Sequence, residues 1–126
     1  MEFKDLKTQY MHHKEAIDGA IAKTVASAHF IGGEPVTRLE KQLAEYVGVK
    51  HCISCANGTD ALLLGLMAWG VGEGDAVFVP DFTFFSTAEV VPWTGATPVF
   101  VDIDADTFNM SPQALEKAFE KYPNPK

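Results

Sequence analysis

The stretch His51-Cys52-Ile53-Ser54-Cys55-Ala56-Asn57-Gly58-Thr59-Asp60-Ala61-Leu62-Leu63-Leu64 decides how the rest of the chain is read. A short run of β-forming residues, His51–Cys55, empties into a polar turn with a single glycine. A Leu- and Ala-rich segment, Thr59–Trp69, then carries helical character and is closed by Gly70, Gly72 and Gly74. The same rhythm repeats downstream. Ala76–Val79 and Pro98–Val101 are further short, nearly continuous apolar runs, and between them Phe84–Val91 reads as a helix ended by Pro92. Strands alternating with helices predict an α/β fold whose parallel sheet is covered on both faces, with right-handed crossovers. A last helix is predicted from Ser111-Pro112, where Ser caps and Pro sits in the first turn, to about Tyr122; the Pro-Asn-Pro-Lys tail cannot continue it.

Upstream, Leu6, Tyr10, Ile17, Ile21 and Val25 recur at mostly helical spacings. They predict an amphipathic helix from Lys4 to about Ser27, interrupted near Gly19. Phe30-Ile31-Gly32-Gly33-Glu34-Pro35 breaks the pattern, and Pro35 can open a second helix with Val36, Leu39, Leu43 and Val47 inside and Gly48 as its stop. The sequence is 126 residues long, the size of one ordinary domain. Hydrophobic residues make up 47% and charged residues 21%, which excludes intrinsic disorder and fibrous repeats. The net charge of −7 gives no electrostatic drive toward nucleic acid or anionic membranes. The densest apolar stretch, Ala61–Trp69, is far short of the roughly 20 residues of a bilayer-spanning helix. The N-terminus MEFKDLKTQY has no secretory pattern, so a cytoplasmic location is expected.

Ligands of open α/β sheets bind outside the C-terminal ends of the strands. The amides of Gly58 and Thr59 and the Thr59 hydroxyl are expected to converge on one spot at the start of a helix. The helix dipole places about half a positive charge there, which suits a phosphate. An ordinary N-cap, with Asn57 or Thr59 satisfying the first amides, explains the same residues. The loop Pro80-Asp81-Phe82-Thr83-Phe84-Phe85-Ser86-Thr87 follows the next strand and brings three aromatics. One of them could stack on a flat ring, and all three could equally be core residues. Together the loops describe a site for a phosphorylated aromatic ring.

Other chemistry finds little support. Cys52-x-x-Cys55 would place its thiols on opposite faces of a strand, unable to chelate or bridge. Two cysteines make no secreted disulfide framework. His12, His13, His29 and His51 are scattered, and no metal site is expected. Asp102-x-Asp104-x-Asp106 suggests a calcium loop, yet Thr107 stands where Gly is needed and Gln113 where Glu is needed, leaving a solvated turn. Gly70-x-Gly72-x-Gly74 follows a helix rather than a strand, the wrong order for a dinucleotide turn. No G-x-S-x-G elbow supports a hydrolase.

Five segments occur in order: Phe3–Tyr10, Phe30–Val36, Asn57-Gly58-Thr59-Asp60-Ala61-Leu62, Phe82-Thr83-Phe84-Phe85-Ser86-Thr87 and Val101-Asp102-Ile103-Asp104. In these the chain resembles the N-terminal part of the DegT/StrS-type pyridoxal-phosphate (PLP) sugar aminotransferases, and the resemblance covers nearly all of it. It implies the aspartate-aminotransferase-like fold, PLP fold type I. It also implies a ping-pong reaction that converts a keto group on a nucleotide-linked deoxysugar to an amine, usually with glutamate as donor. Carried over by position, Gly58 and Thr59 would hold the cofactor phosphate and Phe84 would stack on the pyridine ring. Asp60 takes no catalytic role, and the Phe30–Pro35 loop would lie near the active site at a dimer interface.

The resemblance also implies what is not found in these residues. The family's Schiff-base lysine and the acidic partner of the pyridine nitrogen fall C-terminal to them, and none of the nine lysines stands in the lysine motif. No catalytic residue is therefore assigned within the chain, and alone it is expected not to transaminate efficiently. The implied organisation is a single incomplete domain, with helices and active-site loop over 1–48 and a βαβαβα portion over 49–126. In fold type I the first strand lies apart from the other two, so unpaired edges are expected to favour an oligomer, or a rearranged sheet in which His51–Cys55 pairs beside Ala76–Val79. A truncated or proteolysed enzyme would account for the length. A non-catalytic phosphate-ligand or interaction module is the alternative function.

Overall fold

A computed structural model of the chain describes residues 3–122. The C-terminal Pro-Asn-Pro-Lys segment lies outside them. The elements in order are α1 (Leu6–Ser27), α2 (Glu34–Val47), α3 (Gly58–Ala68), β1 (Ala76–Pro80), α4 (Ser86–Trp93), β2 (Thr97–Val101) and α5 (Pro112–Lys121). They fall into two compact units, one ending at Ser54 and the other beginning at Cys55.

In the first unit, Asp5 caps α1 by accepting from the Thr8 amide at 2.9 Å and the Thr8 hydroxyl at 2.6 Å. These bonds hold the Asp5 carboxyl below its ordinary value. The helix runs without a break through Gly19, against the expected interruption. One glycine costs a helix about 1 kcal/mol, and its flanking Ala, Ile and Lys residues carry the turn across it. A Tyr10–Lys14–Asp18 cluster braces one exposed face. The helix ends where Ala28 turns left-handed. In α2, Pro35 occupies the first turn and Gly48, at φ 79°, closes the helix with its amide on the Ala44 carbonyl, as expected. The predicted inner stripe is present but largely uncovered: Leu39, Leu43 and Val47 are all exposed, and Ala44 is the buried residue of α2.

The second unit builds a core. β1 and β2 are parallel, with Ala76 opposite Thr97 and Pro80 opposite Val101. Val77 and Val79 face α3 and α4, joining Val71, Val90, Val91 and Ala96, with Leu63, Leu66 and Ala88 packed around them. On the opposite face Phe78 meets Phe119 and Tyr122 at the end of α5, with ring centroids 4.7 and 6.4 Å away. Covered on both sides, this is the α/β layering expected of part of a fold type I domain. Ser111 caps α5 by accepting from the Ala114 amide, as its Ser-Pro start predicts.

Two expectations need correcting. His51–Cys55 forms no strand, and it does not pair beside β1. A strand exists through its ladder to a neighbour, and none of the described residues offers that segment one. The Ser54 amide and hydroxyl turn instead to the Glu40 carboxylate, both at 2.8 Å, and hold that carboxyl below its ordinary value. The reason given for discounting Cys52-x-x-Cys55 therefore lapses; both thiols are free, and that of Cys55 donates to the Asn57 carbonyl. Second, α4 begins at Ser86 rather than Phe84, and Pro92 lies inside its last turn instead of ending it. The Thr94 and Gly95 amides close that turn onto the Val91 and Pro92 carbonyls.

The register also fixes which backbone groups of β2 face outward. The Thr97 amide bonds to Asp75 and the Val101 carbonyl to the Asp81 amide, so Thr97, Val99 and Val101 turn toward β1. Pro98 and Phe100 turn away, and Pro98 has no N–H to offer. Just beyond, the Asp102 carbonyl is taken by the Ser111 amide, and the Asp104 carboxylate accepts from the Asp106 and Thr107 amides. Those two amides hold the Asp104 carboxyl below its ordinary value, which makes the acidic triplet a hydrogen-bonded turn.

Candidate functional site

Asn57, in extended conformation, is the N-cap of α3. Its Oδ1 accepts from the Asp60 amide at 2.9 Å, and its Nδ2 donates to the Asp60 carboxylate at 3.1 Å. The Ala61 amide reaches the Asn57 carbonyl. Capping is thus real, and it leaves the Gly58 and Thr59 amides without a protein acceptor among the described residues. A Cβ built at Gly58 meets no heavy atom within 4 Å, so the turn is open on that side. Two free amides at the positive end of an 11-residue helix suit a phosphate.

The Thr59 hydroxyl does not simply point into that space. Its Oγ1 lies 2.7 Å from Ser86 Oγ, and Ser86 in turn donates to Glu89 Oε1 at 3.0 Å. Ser86 is the first residue of α4 and only 5% exposed, the buried polar residue of the second unit. The bond ties the start of α3 to the start of α4, and hence the phosphate-type turn to the aromatic loop two residues upstream. In the sequence Ser86 stood inside the Phe82–Thr87 motif without a role. The available signal was a hydroxyl residue at a helix start directly after an aromatic run.

Phe82, Phe84 and Phe85 are all exposed, Phe84 at 78%. The reading of these aromatics as core residues therefore fails in this chain. Phe82 rests against Phe108 with centroids 5.6 Å apart, while Phe84 has no aromatic partner among the described residues. Gly58 and Thr59 are adjacent on α3, and the Ser86 link ties them to the loop that carries Phe84. A ring-bearing phosphate ligand is thus offered donors from one loop and an uncommitted aromatic face from the next. In the first unit the Phe30–Pro35 loop exposes Phe30 and Ile31.

The layered parallel arrangement is that of an α/β protein, and comparison with known proteins gives the family. Residues 11–124 match the DegT/DnrJ/EryC1/StrS aminotransferase family, and the chain belongs to it. It is 52% identical over 118 residues to the UDP-2-acetamido-2-deoxy-3-oxo-D-glucuronate aminotransferase of Pseudomonas aeruginosa, covering 94% of this chain and 33% of that protein. Among solved structures, a DegT/DnrJ/EryC1/StrS aminotransferase from Brucella abortus superposes with a TM-score of 0.91 at 50% identity, over 100% of this chain and 35% of that one. NtdA from Bacillus subtilis, solved with bound cofactor PMP, superposes with a TM-score of 0.81 at 32% identity, over 88% of this chain and 26% of its own. The chain spans about a third of the length of the curated relative. The cofactor of these enzymes is the PLP/PMP pair: a sugar aminotransferase from Streptococcus pneumoniae is solved in both forms. Among the described residues no helix is long and apolar enough to cross a membrane.

Proposed function

We propose that this chain is the cofactor-holding N-terminal portion of a PLP-dependent aminotransferase that converts a keto group of a nucleotide-linked deoxysugar to an amine, with glutamate as donor. The observation that carries the reading is the pair of free amides at Gly58 and Thr59, linked through Ser86 to the loop of the exposed Phe84. When bound, PLP supplies the electron sink through which an amino group is exchanged for a keto group. The chain's own work is to hold it. The Gly58 and Thr59 amides donate to the phosphate, and the Phe84 ring covers the pyridine face. No catalytic residue is assigned here, and the lysine that carries the cofactor in the family is proposed to belong to further sequence, so the chain alone is inactive. A homodimer or higher oligomer in the cytoplasm completes the proposal, supported by the apolar stripe of α2 and the exposed Phe30–Ile31 loop.

The test is a visible-absorbance titration of the chain with PLP, followed by borohydride reduction and peptide mapping. Saturable binding that Phe84→Ala weakens, with no defined lysine trapped, is the expected result. Trapping on one defined lysine would show that the chain carries its own carbonyl-binding amine. Absence of saturable binding would remove the phosphate cup and leave a non-catalytic interaction module as the reading.

A further inference from the structure

The Glu89–Ser86–Thr59 chain has a direction. An ionised carboxylate only accepts, so the single Ser86 proton goes to Glu89 Oε1 at 3.0 Å. Ser86 then has only lone pairs left for Thr59, and across their 2.7 Å contact Thr59 must be the donor. The Thr59 proton is thereby committed to Ser86, and what Thr59 Oγ1 turns toward the amide turn is lone pairs. An anion arriving at Gly58 and Thr59 meets two donors and one misdirected hydroxyl.

We propose that Ser86 is a positioning residue that sets the polarity of the Thr59 hydroxyl, and that phosphate binding reverses the relay. This rests on the reading of Gly58 and Thr59 as a phosphate site. In the reversed state Thr59 Oγ1 donates to the phosphate and Ser86 Oγ donates to Thr59. Glu89 Oε1 gives up the Ser86 proton and, being half-buried, takes a water proton instead. No bond other than hydrogen bonds changes and no net proton is taken up. Glu89 acts through Ser86 as a brake on anion affinity, because its hydrogen bond is forfeited whenever the anion is held by all three donors.

The experiment follows the Gly58 and Thr59 amide resonances of the chain during titration with inorganic phosphate. Ser86→Ala releases the Thr59 proton, and phosphate affinity is expected to rise roughly tenfold, as a hydrogen bond to a charged group regains its full worth. Thr59→Val is expected to change affinity less than about twofold in the native background and roughly tenfold in the Ser86→Ala background, a coupling that a mere packing role would not produce. Ser86→Thr keeps the hydroxyl and restores native affinity. Should Ser86→Ala fail to fold, Glu89→Leu serves instead: it offers the Ser86 hydroxyl no acceptor, and the tightening must persist at high salt, where loss of a nearby charge alone is screened. Weaker binding in Ser86→Ala, or unchanged binding in both Ser86→Ala and Glu89→Leu, would overturn the relay while leaving the phosphate site standing. If phosphate shifts neither amide in the native chain, the site reading fails and the relay falls with it.

Discussion

Both units carry apolar residues at regular spacings, and they reach opposite ends. In the second, Val79, Val90, Val91 and Val101 are almost fully buried, because strand, helix and strand fold back on one another within about 30 residues. In the first, α1 buries no residue although it is the longest helix among the described residues, and α2 keeps its leucines exposed. A hydrophobic stripe states which face needs cover. It does not state who supplies the cover, and only the βαβ arrangement supplies its own.

The hardest way to break this contrast is a charge at its centre. Val91→Asp, at a position with no exposure, buries an unpaired carboxylate and is expected to cost about 3–5 kcal/mol, enough to abolish cooperative unfolding of the second unit. Leu39→Asp on α2 is expected to shift stability by no more than about 0.5 kcal/mol. Urea unfolding of both variants checks this, and equal losses would mean that the first unit has a hidden core.

A smaller effect sharpens the same comparison. Gly95 and Gly48 both sit at positive φ, 88° and 79°, where a side chain strains the backbone by about 1–2 kcal/mol. At Gly95 an added Cβ also comes 3.4 Å from the Glu73 amide nitrogen, whereas at Gly48 it meets nothing. Gly95→Ala is expected to lower the thermal midpoint of the second unit, while Gly48→Ala shortens α2 by fraying and leaves that midpoint in place. The contrast is read by circular dichroism and amide exchange.

How much of this was legible follows the same line. The helix caps were readable because they are local: Gly48 stops α2, and Ser111-Pro112 starts α5, each by chemistry within four residues. The parallel pairing was readable because Ala76–Val79 and Pro98–Val101 flank a crossover of the right length. His51–Cys55 has the residue types of a strand, but a strand is a relation between two segments, and no segment among the described residues pairs with it. At the site, Gly58 and Thr59 were visible from the turn alone. Ser86 was not, since its importance comes from an oxygen 27 residues away at 2.7 Å. The exposure of Phe84 was equally hidden, because composition cannot tell a core aromatic from one that faces open space.

The smallest expected effect is on acidification. Asp5 is held below its ordinary carboxyl value by the Thr8 hydroxyl and amide, and Asp18 by Lys14 and then Tyr10. Groups with depressed values stabilise α1 above the ordinary carboxyl range, and that contribution is lost as pH falls through their lowered values. Exchange protection of the first turns of α1 is expected to fall in acid before that of α4, whose core contacts do not titrate. Simultaneous loss would tie the two units together.

Both outward flanks of the two-stranded sheet carry a proline. Pro98 on β2 and Pro80 on β1 each turn away from the shared ladder and withhold a donor there. Beyond β2 the Asp102 carbonyl is also taken by the Ser111 amide, while on the far flank of β1 Ala76 and Phe78 keep complete peptide groups. The open edges are thus punctuated rather than continuous: each offers a short run of backbone groups that ends at a proline, which limits how long a ladder a second copy could build on either side.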